Sequence, residues 1–292
     1  MKTIFVVLLL FATLISNAQF RTNIAKPFEL AVSEGNVHGY STIDKFGVNP
    51  LVETTTTPED VWEFGGVYNY DTDSTAPIKY ISSSDALDVG QSIIVQGLDF
   101  EGYLVSQVAV TNGQNNVTLN DSLWRVFRMF NNSSVGNSLT GILYCHTDPT
   151  PTNGVPSNLN VRAIIDDGNN QTLMSLYTIP RGYVGFLYRG EIGIGTEGNV
   201  NGLNEYAHIH YESRRYGKVF TVKKSLDLIV TSGYFQDERS FPDVIPALTD
   251  IRIRVISVSE NMGLWATFDI MLVDEKMLNR EFLESIGQPF LD

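Results

Sequence analysis

The stretch 169–191, NNQTLMSLYTIPRGYVGFLYRGE, constrains the fold of this chain more than any other. Residues 171–179 read as one strand and 183–188 as another, with Pro180-Arg181-Gly182 between them. Pro180 fixes φ and lacks an N–H, and Gly182 tolerates positive φ, so the tripeptide predicts a tight reversal and the pair a hairpin. Along the first arm Leu173, Ser175, Tyr177 and Ile179 share one face, and Thr172, Met174, Leu176 and Thr178 the other. Large apolar side chains on both faces predict a strand buried from both sides. No catalytic signature lies in or near it.

The rest of the chain is compatible with sheets packing around such a hairpin. Short strands separated by turn signals predict an all-β protein of two β-sandwich or jelly-roll-like domains, with an extended N-terminal arm and a short C-terminal helix. The expected divisions are a signal-peptide-like segment 1–18, an arm 19–77, a first β domain 78–147, a Pro-rich linker 148–158, a second β-sandwich 159–274, and a helix and tail 275–292. In the arm, Gly35, Gly39, Gly47 and Asn49-Pro50 break any period, which predicts irregular structure over 20–57. Strands are expected at 78–82, 92–98, 104–110, 124–129 and 141–145, then at 159–165, 190–194, 207–214, 219–223, 228–231, 251–257 and 264–273. Asp99-Phe100-Glu101-Gly102 reads as a hairpin connection. The linker holds three prolines and a glycine within Asp148-Pro-Thr-Pro-Thr-Asn-Gly-Val-Pro156, which cannot sustain a ladder. Met277, Leu278, Phe282, Leu283 and Ile286 form one helical stripe, with Asp274 as a cap and Gly287 as a stop.

Charge and cysteine content exclude some functions. A net charge of −13 argues against a nucleic-acid surface, which needs clustered Lys and Arg on phosphates. The densest basic run, Arg214-Arg215-Tyr216-Gly217-Lys218, reads as a solvated strand end. Cys145 is the only cysteine, so no intramolecular disulfide forms, and it reads as a small buried side chain. Lys2, the apolar run from Ile4 to Ile15 and the small residues Ser16 and Ala18 make a secretory-leader pattern, with cleavage expected after Ala18. That run is short for a bilayer span, and the mature chain carries no other candidate.

Three groups of residues invite a chemical reading. His208, His210 and Glu212 share a strand face with Tyr206, and His-x-His can chelate zinc with Glu212 as a third ligand. Only His38 and His146 remain elsewhere, neither in a matching motif, so an exposed polar face is the expected account. Asp166-Asp167-Gly168-Asn169-Asn170 resembles a calcium-loop fragment but lacks the closing Glu, and reads as a turn. Asp85, Asp88, Asp99 and Glu101 invite a glycosidase reading, yet carboxylates are expected at turns. No catalytic, cofactor-binding or metal residue is assigned, and no cofactor is expected. Trp62, Phe64, Tyr68 and Tyr70 supply large apolar area in the arm and are the expected docking residues.

The order Glu34-Gly-Asn-Val-His-Gly-Tyr-Ser41, Lys45-Phe-Gly-Val-Asn-Pro50, Thr57-Pro-Glu-Asp-Val-Trp62 and Gly65-Gly-Val-Tyr68 resembles virion structural proteins of tailed bacteriophages, of the head or decoration type and from uncharacterised marine phages. Ile94-Val-Gln-Gly-Leu-Asp99, Trp124-Arg-Val-Phe-Arg128, residues 170–182 and Phe268-Asp-Ile-Met-Leu-Val273 continue it in the same order, so it covers residues 34–273. The resemblance implies a non-enzymatic, capsid-associated or decoration component located in the virion. It implies contacts with other virion proteins or with copies of itself, and no catalytic residue carries over. The leader departs from that pattern. It favours an alternative in which the chain is exported from a bacterium, cleaved after Ala18 and secreted or held at the cell surface, among envelope proteins, as a cell-surface or carbohydrate-binding β-sandwich protein. A third reading is a hydrolase using the His208/His210 face.

Overall fold

The computed structural model describes residues 26–54, 57–70, 75–195, 205–229 and 233–288. The leader and its cleavage site lie outside the described residues. The chain divides into two units, 1–38 and 39–292. In the first, a short helix α1 (Phe28–Ser33) follows Pro27 and carries Glu29 in its first turn, where a carboxylate complements the helix dipole. Among the described residues no helix is long and apolar enough to cross a membrane.

The second unit contains strands β1 (Tyr40–Val52), β2 (Glu59–Asp60), β3 (Ile78–Ser83), β4 (Val89–Leu98), β5 (Leu104–Asn112), β6 (Val117–Leu123), β7 (Arg125–Asn131) and β8 (Leu143–His146). They are followed by β9 (Val161–Ile165), β10 (Leu176–Thr178), β11 (Tyr183–Gly195), β12 (Tyr206–Arg215), β13 (Thr221–Ile229), β14 (Tyr234–Ile245), β15 (Thr249–Val258) and β16 (Met262–Asp274). One antiparallel sheet has the order β1-β16-β11-β14 and another the order β10-β15-β12-β13, with β2 beside β15. Leu187, Ile192, Leu264, Phe268 and Ile270 of the first meet Ile209, Tyr211, Ile251, Ile253 and Val255 of the second in one apolar core. Counted along the chain from β1 and resuming at β10, these strands run 1-8-3-6 in one sheet and 2-7-4-5 in the other. That order is a jelly roll.

Everything from β2 to β9 is inserted between the first and second strands of the roll. Sheets β6-β3-β8-β9 and β5-β4-β7 close on a second core that includes Ile81, Ile93, Val95, Met129, Leu143 and Ile165. Alternation on β4 and β5 puts Ile93 and Val95 inside, opposite Ala109. The Asp99–Gly102 turn joins these strands as expected, with the Asp99 carboxylate accepting from the N–H groups of Glu101 and Tyr103.

Three features differ from the sequence reading. The 171–188 stretch is not a paired hairpin: β10 pairs with β15 and β11 with β14 and β16, so Pro180–Gly182 carries the chain from one sheet to the other. The expected burial on both faces is present, because Tyr177 and Ile179 enter the jelly-roll core while Met174 and Leu176 enter the inserted one. Residues 40–52, expected to be irregular, form β1. Its buried positions are Lys45, Gly47, Asn49 and Val52, which present no apolar period to read. The single C-terminal helix resolves into a 3-10 turn, Glu275–Met277, capped by Asp274, and a separate helix α2 (Arg280–Ser285) capped by Asn279. Residues 148–158 connect β8 to β9, which pair in one sheet.

Gly47 marks the closest approach around the two-faced segment. A Cβ there would meet the backbone of Met174 and Ser175, the nearest atom at 2.3 Å. Gly47→Ala is therefore expected to cost about 1–3 kcal/mol by urea unfolding. Gly190→Ala, whose Cβ would meet nothing nearer than 3.8 Å, is expected to change stability by well under that.

Candidate functional site

The densest polar constellation lies where the inserted sandwich meets the outer face of the β10-β15-β12-β13 sheet. Alternation turns Ile251, Ile253 and Val255 of β15 into the core and Arg252 and Arg254 outward; on β12 it turns Ile209 and Tyr211 inward and His208, His210 and Glu212 outward. Asp250, 1% exposed, is the hub. Its carboxylate takes Arg125 through two hydrogen bonds of 3.0 and 3.1 Å, Arg214 at 2.8 Å and the Thr178 hydroxyl at 2.6 Å. Arg125 comes from the inserted sandwich and also donates to the Tyr70 carbonyl at 2.9 Å. Beside it, Arg252 holds Glu212 at 2.7 Å, and Arg252 and Arg254 each lie 3.6 Å from Asp60. Burial raises the Asp60 carboxyl to about 6 against the pull of both arginines.

The aromatic residues expected at a docking surface line this seam within the chain. Trp62, Tyr68 and Tyr70 are buried and Phe64 packs half-buried against them. Centroids lie 5.0 Å apart for Trp62 and Tyr68 and 4.6 Å for Tyr68 and Tyr70, both edge-on. The Arg125 and Arg214 guanidiniums lie over the Tyr70 ring, and Arg252 sits 3.7 Å from the Phe220 ring centre. Burial pushes the Tyr68 hydroxyl up to about 12. Arg214, expected in water at a strand end, is thus half-buried in an ion pair; Arg215 instead donates to the carbonyls of Ile286 and Gly287. Together with Lys218 and Lys223 they line an open cleft of about 570 Å³ at the β12–β13 turn.

His208 and His210 converge on the same outer face. Their Nε2 atoms are 3.1 Å apart, His208 Nδ1 lies 2.6 Å from Asp227, and His210 Nδ1 lies 3.3 Å from Glu212. Glu212 thus backs a histidine and holds Arg252, and does not join the pair as a third ligand. Among the described residues no group of three or more His, Cys, Asp or Glu is placed to hold a metal ion.

The remaining candidates have structural roles. Asp88 accepts from Ser83, Thr140 and Gly141, and Asp85 from the Leu87 N–H, so both organise turns. Asp166–Asn170 is a turn with Gly168 and Asn170 at positive φ, and Asn169 donates to Glu63. Burial raises the Cys145 thiol to about 12, which keeps it protonated and inert. No motif signals the Ser82–His146 contact at 2.9 Å. His146 Nδ1 accepts the Asp148 N–H, so Nε2 carries the proton and donates to Ser82, which donates to Gly154. That tautomer cannot deprotonate the serine, and burial lowers the imidazole to about 4.

No family model matches the sequence, and no curated protein matches it. Weakly similar solved structures come from infectious bursal disease virus. One is from the Gt strain, with 11% identity over 86% of this chain and 79% of that one and a TM-score of 0.24. Another is the VP2 subviral particle, with 11% identity over 85% and 81% and a TM-score of 0.19.

Lys45 gives the contact between β1 and the inserted sandwich a pH signature. It is buried on β1 and donates to the Phe127 carbonyl of β7; desolvation, and then Arg128, lower its ammonium to about 7. Between about 7 and its unfolded value of 10.5 the folded chain binds fewer protons than the unfolded one, so stability rises with pH across that window. Urea unfolding is expected to show a gain on the order of 2 kcal/mol from about pH 7 to about pH 9.5, and Lys45→Met to flatten it.

Proposed function

We propose that this chain is a non-enzymatic structural protein of a virus particle, a capsid-associated or decoration component that acts through contacts between subunits. The observation that carries the reading is a jelly roll whose central core is filled and whose large cleft is open to solvent at its end. Jelly rolls serve in capsid and lectin domains and in cupins, and fold alone does not choose among them. A small-molecule site inside the roll needs a cavity of about 300 Å³ or more. The void deep between these sheets, lined by Leu187, Ile192, Leu226, Phe235 and Phe268, is about 30 Å³, room for one water; the larger cleft of about 570 Å³ opens to solvent at the β12–β13 end of the roll, between Tyr211 and Lys223 on one sheet and Asp243 and Ile245 on the other. The polar seam is likewise closed by packing and paired charges.

The outer surface supports assembly. Leu104, Val108 and Val110 point outward from β5, an edge strand of the inserted sandwich, each half-exposed or more. An apolar edge of that kind suits a neighbouring subunit. The sequence resemblance to head and decoration proteins of tailed bacteriophages gives the finer form of the proposal, with further virion proteins or copies of this chain as partners. The charge of −13 disfavours direct contact with packaged nucleic acid.

Mass spectrometry of purified particles tests this reading. Peptides spanning β1 to β16 are expected at many copies per particle. Absence from particles, with a mature N-terminus at Gln19 recovered from medium or envelope, would favour the exported glycan-binding alternative and overturn the proposal.

A further inference from the structure

The His208/His210 pair has a geometry that a plain polar strand face does not require. Both side chains project from β12, in register with β13 on one side and β15 on the other. Each ring turns Nδ1 toward a carboxylate, Asp227 at 2.6 Å and Glu212 at 3.3 Å. Carboxylates accept only, so the ring proton sits on Nδ1 in both histidines. Both Nε2 lone pairs then face each other across 3.1 Å, an arrangement that repels unless a cation lies between them. A metal-ligating histidine usually donates its other ring N–H to a carboxylate, carbonyl or water, which fixes the tautomer and makes the ligand nitrogen more basic, and both rings here have that arrangement.

We propose that His208 and His210 chelate one divalent late first-row transition-metal ion, zinc foremost, through their Nε2 atoms, with Asp227 and Glu212 as orienting partners. Nitrogens 3.1 Å apart, each about 2.1 Å from one ion, subtend roughly 95° at the metal, between the angle of an octahedral shell and the wider one of zinc's usual tetrahedron, so a small opening of the two rings completes the fit to zinc. The histidine side chains are 30% and 19% exposed, so the ion is reached from solvent and water completes its coordination. The Ser225 hydroxyl lies 3.3 Å from His208 Nε2 and can hydrogen-bond to such a water.

The facing charges set the strength of the site. Asp227 comes from β13 and Glu212 from β12; Arg254 of β15 stands opposite His210, and Arg252 holds the second oxygen of Glu212. Arg252 and Arg254 are themselves turned toward Asp60. Two neutral imidazoles flanked by two carboxylates leave net negative charge close to the ion, and the arginines offset part of it. A two-nitrogen chelate binds more weakly than a closed four-ligand site and holds an exchangeable ion.

Calorimetric titration of the full chain with zinc chloride, followed by nitrogen NMR of the histidine rings, tests the assignment. One ion per chain is expected, with the Nε2 resonances of His208 and His210 shifting and those of His38 and His146 unmoved. His208→Ala and His210→Ala are each expected to weaken binding by more than about tenfold, and Asp227→Asn by about tenfold. The ring resonances read the site in the unaltered protein, so the result does not depend on the variants folding. Absence of zinc binding at millimolar metal would overturn the proposal and leave a shared proton as the cation. So would binding that leaves the two Nε2 resonances in place.

Discussion

The architecture depends on a run of eight residues, all but Leu173 buried. Residues 172–179 run between two apolar cores. Met174 and Leu176 fill one core, Tyr177 and Ile179 the other. The backbone is shared in the same way. Thr172 exchanges hydrogen bonds with Met129 of β7, Met174 bridges to Trp62, and Leu176–Thr178 pair with β15. Neither sandwich can release this segment without exposing apolar side chains of the other, which couples the insertion to the roll.

Around that segment the seam is closed by charge. Four arginines, Arg125, Arg214, Arg252 and Arg254, face Asp60, Glu212 and Asp250, and the most buried of them are the best paired. Buried ion pairs contribute little net stability against an apolar seam, since desolvation offsets the attraction, but losing one partner is costly. Their effect is directional: the fork of Arg125 on Asp250 accepts one orientation of the inserted sandwich. Tyr70 packs beneath the Arg125 and Arg214 guanidiniums, and Tyr68, Trp62 and Phe64 follow it ring against ring.

Much of the strand content is legible because it follows alternation. Residues 104–110 and 251–257 show the period directly, and the structure extends each by a few residues. β1 escapes such a reading because its buried positions include Lys45, Gly47 and Asn49, which meet the Phe127 carbonyl, a close backbone and the Asp60 carbonyl rather than an apolar core. β14 escapes because it is an edge strand, charged and interrupted by Pro242, which the outer row of a sheet tolerates. Pro180–Gly182 states that the chain reverses but not which strand receives it; a hairpin turn and a crossing between sheets share the same local chemistry. Prolines between Asp148 and Pro156 break a ladder as well between paired strands as between domains. The His-x-His spacing is plain in the sequence, whereas the carboxylates behind each ring depend on register with β13 and on a rotamer of Glu212.

The proposed role in a particle requires contact surfaces in fixed relation, and a seam sealed by a shared segment and forked ion pairs supplies that rigidity. Scanning calorimetry of the folded chain measures it most directly. One transition is predicted, with calorimetric and van't Hoff enthalpies equal, and Asp250→Ala is predicted to lower its midpoint without splitting it. Two separable transitions in the unaltered chain, one for each apolar core, would contradict the account.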